Sequence, residues 1–310
     1  MKLSIVTTLY HSRDYINEFY QRATKIAQQV AGEDYEIIFV NDGSPDNSLE
    51  LVVELVNRDN HLVVVDLSRN FGHHNAMRAG LEHSHGELIF LIDSDLEEEP
   101  EWLTLFHQQM LTNKADVVYG IQKNRKGGWF ERYSGALYYS LLNRLLSIEH
   151  PRNITTTRLM TRAYVNALLQ YKEIETVISC LWVITGFKQI PHTVVKHDKG
   201  KSSYNLFKKF SHFVNAVTSF SAAPLKMIFF FGLLVFLIST FYALYLVMGR
   251  LFMAKHVEGW TSIMVSVWLL GGMIISFIGI IGMYLAKIFS ETKHRPYAII
   301  KNIYGRTNGN

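Results

Sequence analysis

Residues 87–97 read Glu-Leu-Ile-Phe-Leu-Ile-Asp-Ser-Asp-Leu-Glu, an apolar run that ends on two carboxylates one residue apart, Asp93 and Asp95. An apolar run without alternation is typical of a parallel strand covered on both faces. Ligands of open α/β sheets bind beyond the carboxyl ends of such strands, so the acid pair is predicted to lie at a ligand site. Taken alone, the spacing also fits an Asp-rich turn ahead of a helix that begins near Pro100.

Strand-like and helix-like segments alternate along the first 120 residues. Strands are predicted over 3–9, 36–40, 62–67, 87–93 and 116–120, and helices over 15–30, 48–57, 75–83 and 100–113. This alternation predicts an α/β fold with a mostly parallel sheet and right-handed crossovers. Asp42 follows the second strand, so we expect it at the same sheet edge as Asp93 and Asp95. Neither a dinucleotide-binding nor a P-loop glycine motif is present.

Two long uncharged runs follow the alternating region. Residues 227–249 and 259–286 contain no Asp, Glu, Lys or Arg, and each exceeds the ~20 residues needed to span a bilayer. Lysines and arginines cluster before the first run and after the second, so the positive-inside rule predicts that both ends face the cytoplasm. The net charge of +4 is explained by a surface of anionic lipid, and no segment resembles a nucleic-acid-binding module.

Two further patterns concern the membrane. Aromatic residues at helical spacing with lysines between them, from Tyr204 to Phe213, predict an interfacial helix. Small residues recur along the second uncharged run from Gly271 to Gly282, which allows close packing either against the first span or in a homo-oligomer. The single cysteine, Cys180, excludes an internal disulfide and fits a reducing compartment.

Six short motifs are distributed along the chain: VNDGS at 40–44, RNFG at 69–72, AGL at 79–81, DSDL at 93–96, RLM at 158–160 and ETKHRP at 291–296. Together they resemble the inverting family 2 glycosyltransferases of GT-A fold, in the branch that moves a sugar onto polyprenyl phosphate. Bactoprenol glucosyltransferases and dolichyl-phosphate mannose synthases belong to this branch. The pair of C-terminal spans is similar to the bactoprenol glucosyltransferase arrangement.

The resemblance implies a function and a site. It implies transfer of a sugar from a nucleotide-sugar to a polyprenyl (undecaprenyl) phosphate, with Mg²⁺ or Mn²⁺ as cofactor and inversion in a single displacement. Asp93 and Asp95 are the implied catalytic residues, and Asp95 and Glu97 the metal ligands. The implied donor-binding residues are Thr8, Tyr10, Asp42, Arg69, Asn70, Gly72, Asp93 and Ser94. The implied acceptor-phosphate residues are Arg125, Arg132, Ser134 and Lys201.

Some side chains near the acids have alternative interpretations. His73 and His74 could bind a metal, but hard cations prefer oxygen, so a helix-start or substrate-lining role is expected. The run Glu97-Glu98-Glu99 also fits acids that favour the positive end of the helix near Pro100, and only Glu97 is a ligand candidate. The loop Thr8–Ser12 and the segment 197–203 depart from the family pattern, which predicts a donor or acceptor unlike those of the best-known members.

The expected organisation has four parts. They are a GT-A domain over 1–200, an interfacial amphipathic helix over 201–224, a two-helix transmembrane hairpin over 225–288 and a cytoplasmic tail over 289–310. A multi-pass protein of the inner (plasma) membrane follows, with the catalytic domain and both termini in the cytoplasm. Two alternatives remain: direct transfer to a lipid-linked glycan, and a non-catalytic membrane scaffold, although a scaffold would be expected to lose its acids.

Overall fold

A computed structural model of the 310-residue chain describes residues 1–122, 151, 153–173, 178–196, 217–218, 221–253 and 259–305. The strands are β1 (Leu3–Leu9), β2 (Tyr35–Asn41), β3 (Leu62–Leu67), β4 (Leu88–Leu91), β5 (Val117–Gln122), β6 (Ile154–Thr161), β7 (Gln189–Val194) and β8 (Ile300–Gly305). The helices are α1 (Ile16–Ala31), α2 (Ser48–Val56), α3 (His73–Glu82), α4 (Trp102–Asn113), α5 (Arg162–Leu168), α6 (Ile178–Ile184), α7 (Ala223–Met253) and α8 (Trp260–Thr292).

The eight strands form one sheet in the order β7-β5-β6-β4-β1-β2-β3-β8. Strands β4, β1, β2 and β3 run parallel, as do β5 and β7. Strand β6 is antiparallel to both of its neighbours, and β8 is antiparallel to β3. The prediction of a mostly parallel α/β sheet is therefore confirmed, whereas β6, β7 and β8 were not predicted.

The sheet is buried on both faces at its centre. Every residue of β1, β2 and β3 is buried, as their apolar sequences require of strands covered by helices. One face packs against the apolar sides of α1 and α4, with Phe19, Phe39 and Phe106 in the core. The other face carries α3 so closely that a side chain at Gly80 would collide with Val6 and Val40. This close packing holds the beginning of α3 beside the carboxyl ends of β1 and β2.

The chain divides into two compact units, one with the sheet and one with α7 and α8. Strand β8, which lies in the expected cytoplasmic tail, pairs with β3 from Val63↔Gly305 to Leu67↔Ile300 and so belongs to the sheet unit. In the other unit, the rings of Phe231 on α7 and Phe277 on α8 meet edge to face at 6.0 Å.

One segment among the described residues is long and apolar enough to cross a bilayer. It is Leu269–Thr292 of α8, with a mean hydropathy of 2.1. The other predicted span falls on α7, whose apolar stretch Ala223–Ser239 is shorter. Of the two predicted spans, only the second is matched by a helix of sufficient length and apolar character in the described part of the chain. Most of the expected interfacial helix, 201–216 and 219–220, lies outside the described residues.

Candidate functional site

The carboxyl ends of β1, β2, β3 and β4 bring the predicted donor-binding residues to one edge of the sheet. The register pairs Leu9 of β1 with Asn41 of β2, so the loops after these two strands start side by side. The hydroxyl of Ser94, after β4, donates to the Thr8 carbonyl at 2.8 Å and lies 3.0 Å from the Ser12 hydroxyl. The loop that carries the two acids is therefore tied to the end of β1.

Asp42 holds the turn at residues 69–72. Its Oδ1 accepts a hydrogen bond from the Phe71 amide at 2.7 Å, and its Oδ2 accepts one from the Gly72 amide at 3.1 Å. Burial raises the pKa of Asp42, and the two amides offset only part of that rise. The carboxylate is 3% exposed, so it acts on the rest of the site by fixing this turn.

The turn itself presents polar groups toward solvent. The Asn70 Oδ1 accepts from the Gly72 amide at 3.0 Å, and the guanidinium of Arg69 stacks on the Phe71 ring at 4.1 Å. At Gly43, φ is +60° and an added Cβ would lie 2.5 Å from the Asn70 amide nitrogen. The loop after β2 and this turn therefore touch backbone to backbone. Tyr10, at the end of β1, is 51% exposed and free to meet a ligand.

Asp93 is paired with the first residue of α3. The Nε2 of His73 lies 3.3 Å from the Oδ1 of Asp93, and the Nδ1 of His73 lies 3.1 Å from the Thr8 hydroxyl. Burial raises the pKa of Asp93, but His73, Thr156 and Lys196 together lower it by more, so the net shift is downward. Asp93 is therefore held as a carboxylate. The expectation that His73 serves at the start of a helix agrees with its position in α3.

Asp95 sits in a tight acidic turn. Its Oδ1 accepts from the Glu97 amide at 3.0 Å, and Leu96 between them has φ +59°. Burial raises the pKa of Asp95, and the negative charges of Asp93 and Glu97 raise it further. A cation placed here would relieve that repulsion, because an opposite charge favours the ionised carboxyl group.

The donor set fits a hard divalent cation held in part by substrate. In the described part of the chain, no group of three or more His, Cys, Asp or Glu side chains converges as a metal cage. Mg²⁺ is ordinarily bound through one or two carboxylates plus substrate phosphates, which does not need such a cage. The carboxylate oxygens and the raised pKa of Asp95 suit a cation that is shared with substrate phosphates. Glu97, by contrast, forms an ion pair with a lysine.

That lysine is Lys196, which no sequence motif had indicated. Its Nζ lies 3.1 Å from the Glu97 Oε2 and 3.2 Å from the Glu98 Oε1. Glu98 is fully buried, and its Oε2 also accepts from the amide and the hydroxyl of Thr157. Burial, and then Asp93, raise the pKa of Glu98. Glu98 is thus a buried carboxylate that joins Lys196 to β6, and it does not serve as an acid at the start of a helix. The sequence feature that could have drawn attention to Lys196 is its position directly before the segment 197–203, which departs from the family pattern.

The predicted acceptor side falls outside the described residues. Arg125, Arg132, Ser134 and Lys201 all belong to stretches that the structure does not describe. The donor-side residues, by contrast, surround one sheet edge, which is the arrangement that α/β enzymes use to bind a ligand.

Comparison with known proteins identifies the family. The family model described as glycosyl transferase family 2 matches residues 4–169, which is more than half of the chain. A protein of Mycobacterium tuberculosis (strain CDC 1551 / Oshkosh) named as putative glycosyltransferases is 47% identical over 305 residues, covering 98% of this chain and 89% of that one. The bactoprenol glucosyl transferase of Shigella phage SfV is 30% identical over 305 residues, covering 97% and 99%.

Among solved structures, the mannosyltransferase PcManGT from Pyrobaculum calidifontis, in complex with GDP-Man and Mn²⁺, is 14% identical to this chain. The match covers 69% of this chain and 62% of that one, with a TM-score of 0.48. The family match and the two sequence relatives carry the assignment, and the sheet described above agrees with the GT-A fold expected of it. The resemblance inferred from the motifs is confirmed: the chain belongs to glycosyl transferase family 2 and is a glycosyltransferase.

Proposed function

We propose that this protein transfers a sugar from a nucleotide-sugar to a polyprenyl phosphate at the cytoplasmic face of a membrane. The observation that carries the proposal is the convergence of Asp42, Asp93 and Asp95 at one sheet edge. Similarity to the Shigella phage SfV bactoprenol glucosyl transferase over 97% of the chain supports the choice of acceptor. Transfer proceeds by a single displacement that inverts the anomeric centre.

On the donor side, the loops at the sheet edge hold the nucleotide-sugar. Asp42 fixes the turn that the nucleotide contacts, and Asp93, kept ionised by His73, orients the sugar. Ser94 locks the acid loop to β1. The proposed donor site comprises Thr8, Tyr10, Arg69, Asn70, Gly72 and Asp93, with Asp42 and Ser94 as the buried residues that position its loops.

A divalent cation completes the donor site. We place Mg²⁺ or Mn²⁺ on Asp95, with Glu97 as the second protein ligand, because these carboxylates repel each other without a cation. When bound, such an ion neutralises the charge that develops on a departing diphosphate. Asp95 and Asp93 then act as the catalytic pair, one holding the cation and the other the sugar.

The acceptor needs positioning more than activation. A lipid phosphate is already an anionic nucleophile at neutral pH, so a strong general base is unnecessary. Arginine binds phosphate oxygens bidentately, which supports Arg125 and Arg132 as its ligands, with Ser134 and Lys201 beside them. The phosphate oxygen attacks the anomeric carbon as the bond to the nucleotide diphosphate breaks.

Strand β8 supports a two-span membrane hairpin. Strands β7 and β8 belong to the same sheet and therefore lie on the same side of any bilayer. The chain between them must cross an even number of times. If Leu269–Thr292 crosses once, another segment must cross back, and we assign that crossing to α7. The catalytic domain of residues 1–200, the interfacial segment 201–224, the hairpin 225–288 and the tail 289–310 are proposed on this basis.

The proposal is tested with purified full-length protein, undecaprenyl phosphate and a panel of nucleotide-sugars with Mg²⁺ or Mn²⁺. An α-linked donor should yield a β-linked polyprenyl phosphate sugar, as read by NMR of the product. Asp95→Asn should lower kcat by at least a hundredfold while the folded structure is kept, since a catalytic cation supplies several kcal/mol. Retained configuration would refute the mechanism, full activity in EDTA would refute the cation, and transfer only to a lipid-linked glycan would refute the acceptor.

A further inference from the structure

We propose that Lys196 is a positioning residue that holds the Glu97 carboxylate until a divalent cation binds beside Asp95. Cation binding and release of Glu97 from Lys196 are then coupled. This inference rests on the metal-dependent transfer proposed above. It assigns a role to a residue outside the sequence motifs.

The two ion pairs of Lys196 are unequal. Glu98 is fully buried, and three hydrogen bonds from Thr156 and Thr157 keep its carboxylate in place. Glu97 is 32% exposed and reaches Lys196 through a single carboxylate oxygen at 3.1 Å. Freeing Glu98 would leave a buried charge without a partner, which is strongly unfavourable, whereas freeing Glu97 exposes it to solvent or to a cation. Glu97 is therefore the partner that can exchange.

Glu97 is placed to make that exchange with a cation on Asp95. The Glu97 amide donates to the Asp95 carboxylate at 3.0 Å, so the two acids share one turn. A cation at Asp95 attracts the Glu97 carboxylate and repels the Lys196 ammonium, and both forces act over short distances in a partly buried site. A cation bound at this turn would therefore compete with Lys196 for the Glu97 carboxylate.

The position of Lys196 in the chain gives the exchange a further consequence. Lys196 follows β7 by two residues, and Lys201, a proposed acceptor-phosphate residue, is five residues further on. Lys196 stays paired with Glu98 when Glu97 leaves, and Glu98 is hydrogen-bonded to Thr157 of β6. Lys196 therefore remains attached to β6 while the donor site takes up its cation.

Binding of Mn²⁺ alone tests the inference without any turnover. The full-length protein is titrated with Mn²⁺ in detergent, and free Mn²⁺ is measured by electron paramagnetic resonance. Lys196→Met should lower the Kd for Mn²⁺ about tenfold, because it removes a nearby positive charge and frees Glu97. Lys196→Arg keeps the positive charge and should therefore have the same Kd for Mn²⁺ as the wild-type protein. Lys188→Met removes an exposed lysine that bonds to the Asn113 carbonyl, and it should leave the Kd unchanged.

A second pair of variants avoids leaving Glu98 buried and unpaired. Glu98→Gln alone keeps Lys196 on Glu97, and the double variant Glu98→Gln with Lys196→Met frees Glu97. The double variant should bind Mn²⁺ about tenfold more tightly than Glu98→Gln, and adding Glu97→Gln to both should reduce this difference to less than threefold.

The outcomes separate the two proposals. Equal or weaker Mn²⁺ binding after removal of Lys196, in either background, overturns the role of Lys196 and leaves the metal site standing. A difference that persists with Glu97→Gln also overturns it, because the lysine would then act without Glu97. Failure of the wild-type protein to bind Mn²⁺ overturns the metal site, and with it this inference.

Discussion

His73 and Asp93 form an ion pair, with the Nε2 of His73 3.3 Å from the Oδ1 of Asp93. The other ring nitrogen of His73 contacts the Thr8 hydroxyl at 3.1 Å. One imidazole therefore joins the end of β1, the start of α3 and the acid after β4. In the proposed mechanism, His73 acts on the donor through Asp93, whose carboxylate it orients.

Replacing His73 should produce a pH-dependent defect. Burial lowers the pKa of His73, but Asp93, Asp42 and Asp95 raise it more, so the net pKa lies above its usual value. The protonated ring contributes fully below the ordinary pKa of about 6.5, and its contribution is lost as the pH rises through the raised value. His73→Gln should reduce kcat/KM for the nucleotide-sugar about tenfold at pH 6, with a smaller deficit at high pH.

The measurement is a kcat/KM profile for both proteins between pH 5.5 and 9. His83→Gln, at the other end of α3, serves as the control and should follow the wild-type profile. A deficit of the same size at every pH would mean that the charge of His73 has no part in the effect.

Two glycines with positive φ should respond differently to alanine. At Gly43, the added Cβ would lie 2.5 Å from the Asn70 amide nitrogen, so the turn at 69–72 must shift. At Gly32, where φ is +64°, an added Cβ has open space. Gly43→Ala should therefore raise the nucleotide-sugar KM at least tenfold. Gly32→Ala should leave KM unchanged and lower the free energy of unfolding by about 2 kcal/mol, because φ +64° with ψ −130° is a conformation that residues other than glycine rarely adopt.

Steady-state kinetics and thermal unfolding in detergent distinguish these effects. Both variants should keep the wild-type KM for the lipid phosphate. An unchanged nucleotide-sugar KM in Gly43→Ala would show that the turn at 69–72 does not contact the donor.

Cys180 should be inert in the folded protein. It is buried in α6, and burial raises the pKa of its thiol to about 11. Because the thiolate is the reactive form, alkylation by iodoacetamide at pH 8 should be slower than for an exposed thiol by a factor on the order of a hundred. Mass spectrometry should find Cys180 unmodified in the native protein and modified after denaturation. Lys188→Cys supplies an exposed thiol that should react in the native state, and equal rates at both positions would contradict the burial of α6.

The membrane topology predicts opposite compartments for two fusion points. A reporter fused at Asn310 should lie in the cytoplasm, and one inserted near His256, between α7 and α8, should lie across the membrane. A reporter fused at Met1 belongs with the cytoplasmic group, which makes it a positive control. Cytoplasmic signals from every position would mean that α7 and α8 do not cross, and the proposed hairpin would be wrong.

The local sequence predicted five strands because each is a short apolar run between turn residues. It did not predict β6, whose ITTTRLMT sequence carries threonines and the buried Arg158 in place of an apolar alternation. Strand β7 contains Pro191, and a proline argues against a strand because it cannot donate a hydrogen bond to a neighbouring strand. Strand β8 is mostly exposed, so it lacks the buried apolar run of the predicted strands. These strands are stabilised by neighbours that are remote in sequence.

The candidate site, like the sheet, could be predicted from the sequence only in part. Asp42, Asp93 and Asp95 could be predicted to converge because parallel strands end at one edge. The pairing of His73 with Asp93, and of Lys196 with Glu97 and Glu98, joins segments separated by many residues. No local pattern encodes such contacts. Glu98 in particular was one of three acids expected to favour the positive end of the helix near Pro100, and only the fold shows that it is buried.

The pairing of β8 with β3 has a consequence for biosynthesis. The ribosome makes β3 early and β8 only after both apolar helices, so during translation the outer edge of β3 has to wait for its neighbour. An unpaired strand edge is prone to associate with other chains. In the proposed hairpin, a nascent chain in which only one of the two helices crossed the bilayer would present β8 in the wrong compartment and leave that edge open. Completion of the sheet therefore excludes a single crossing, and an accessible β3 edge would mark chains with that defect for quality-control proteases.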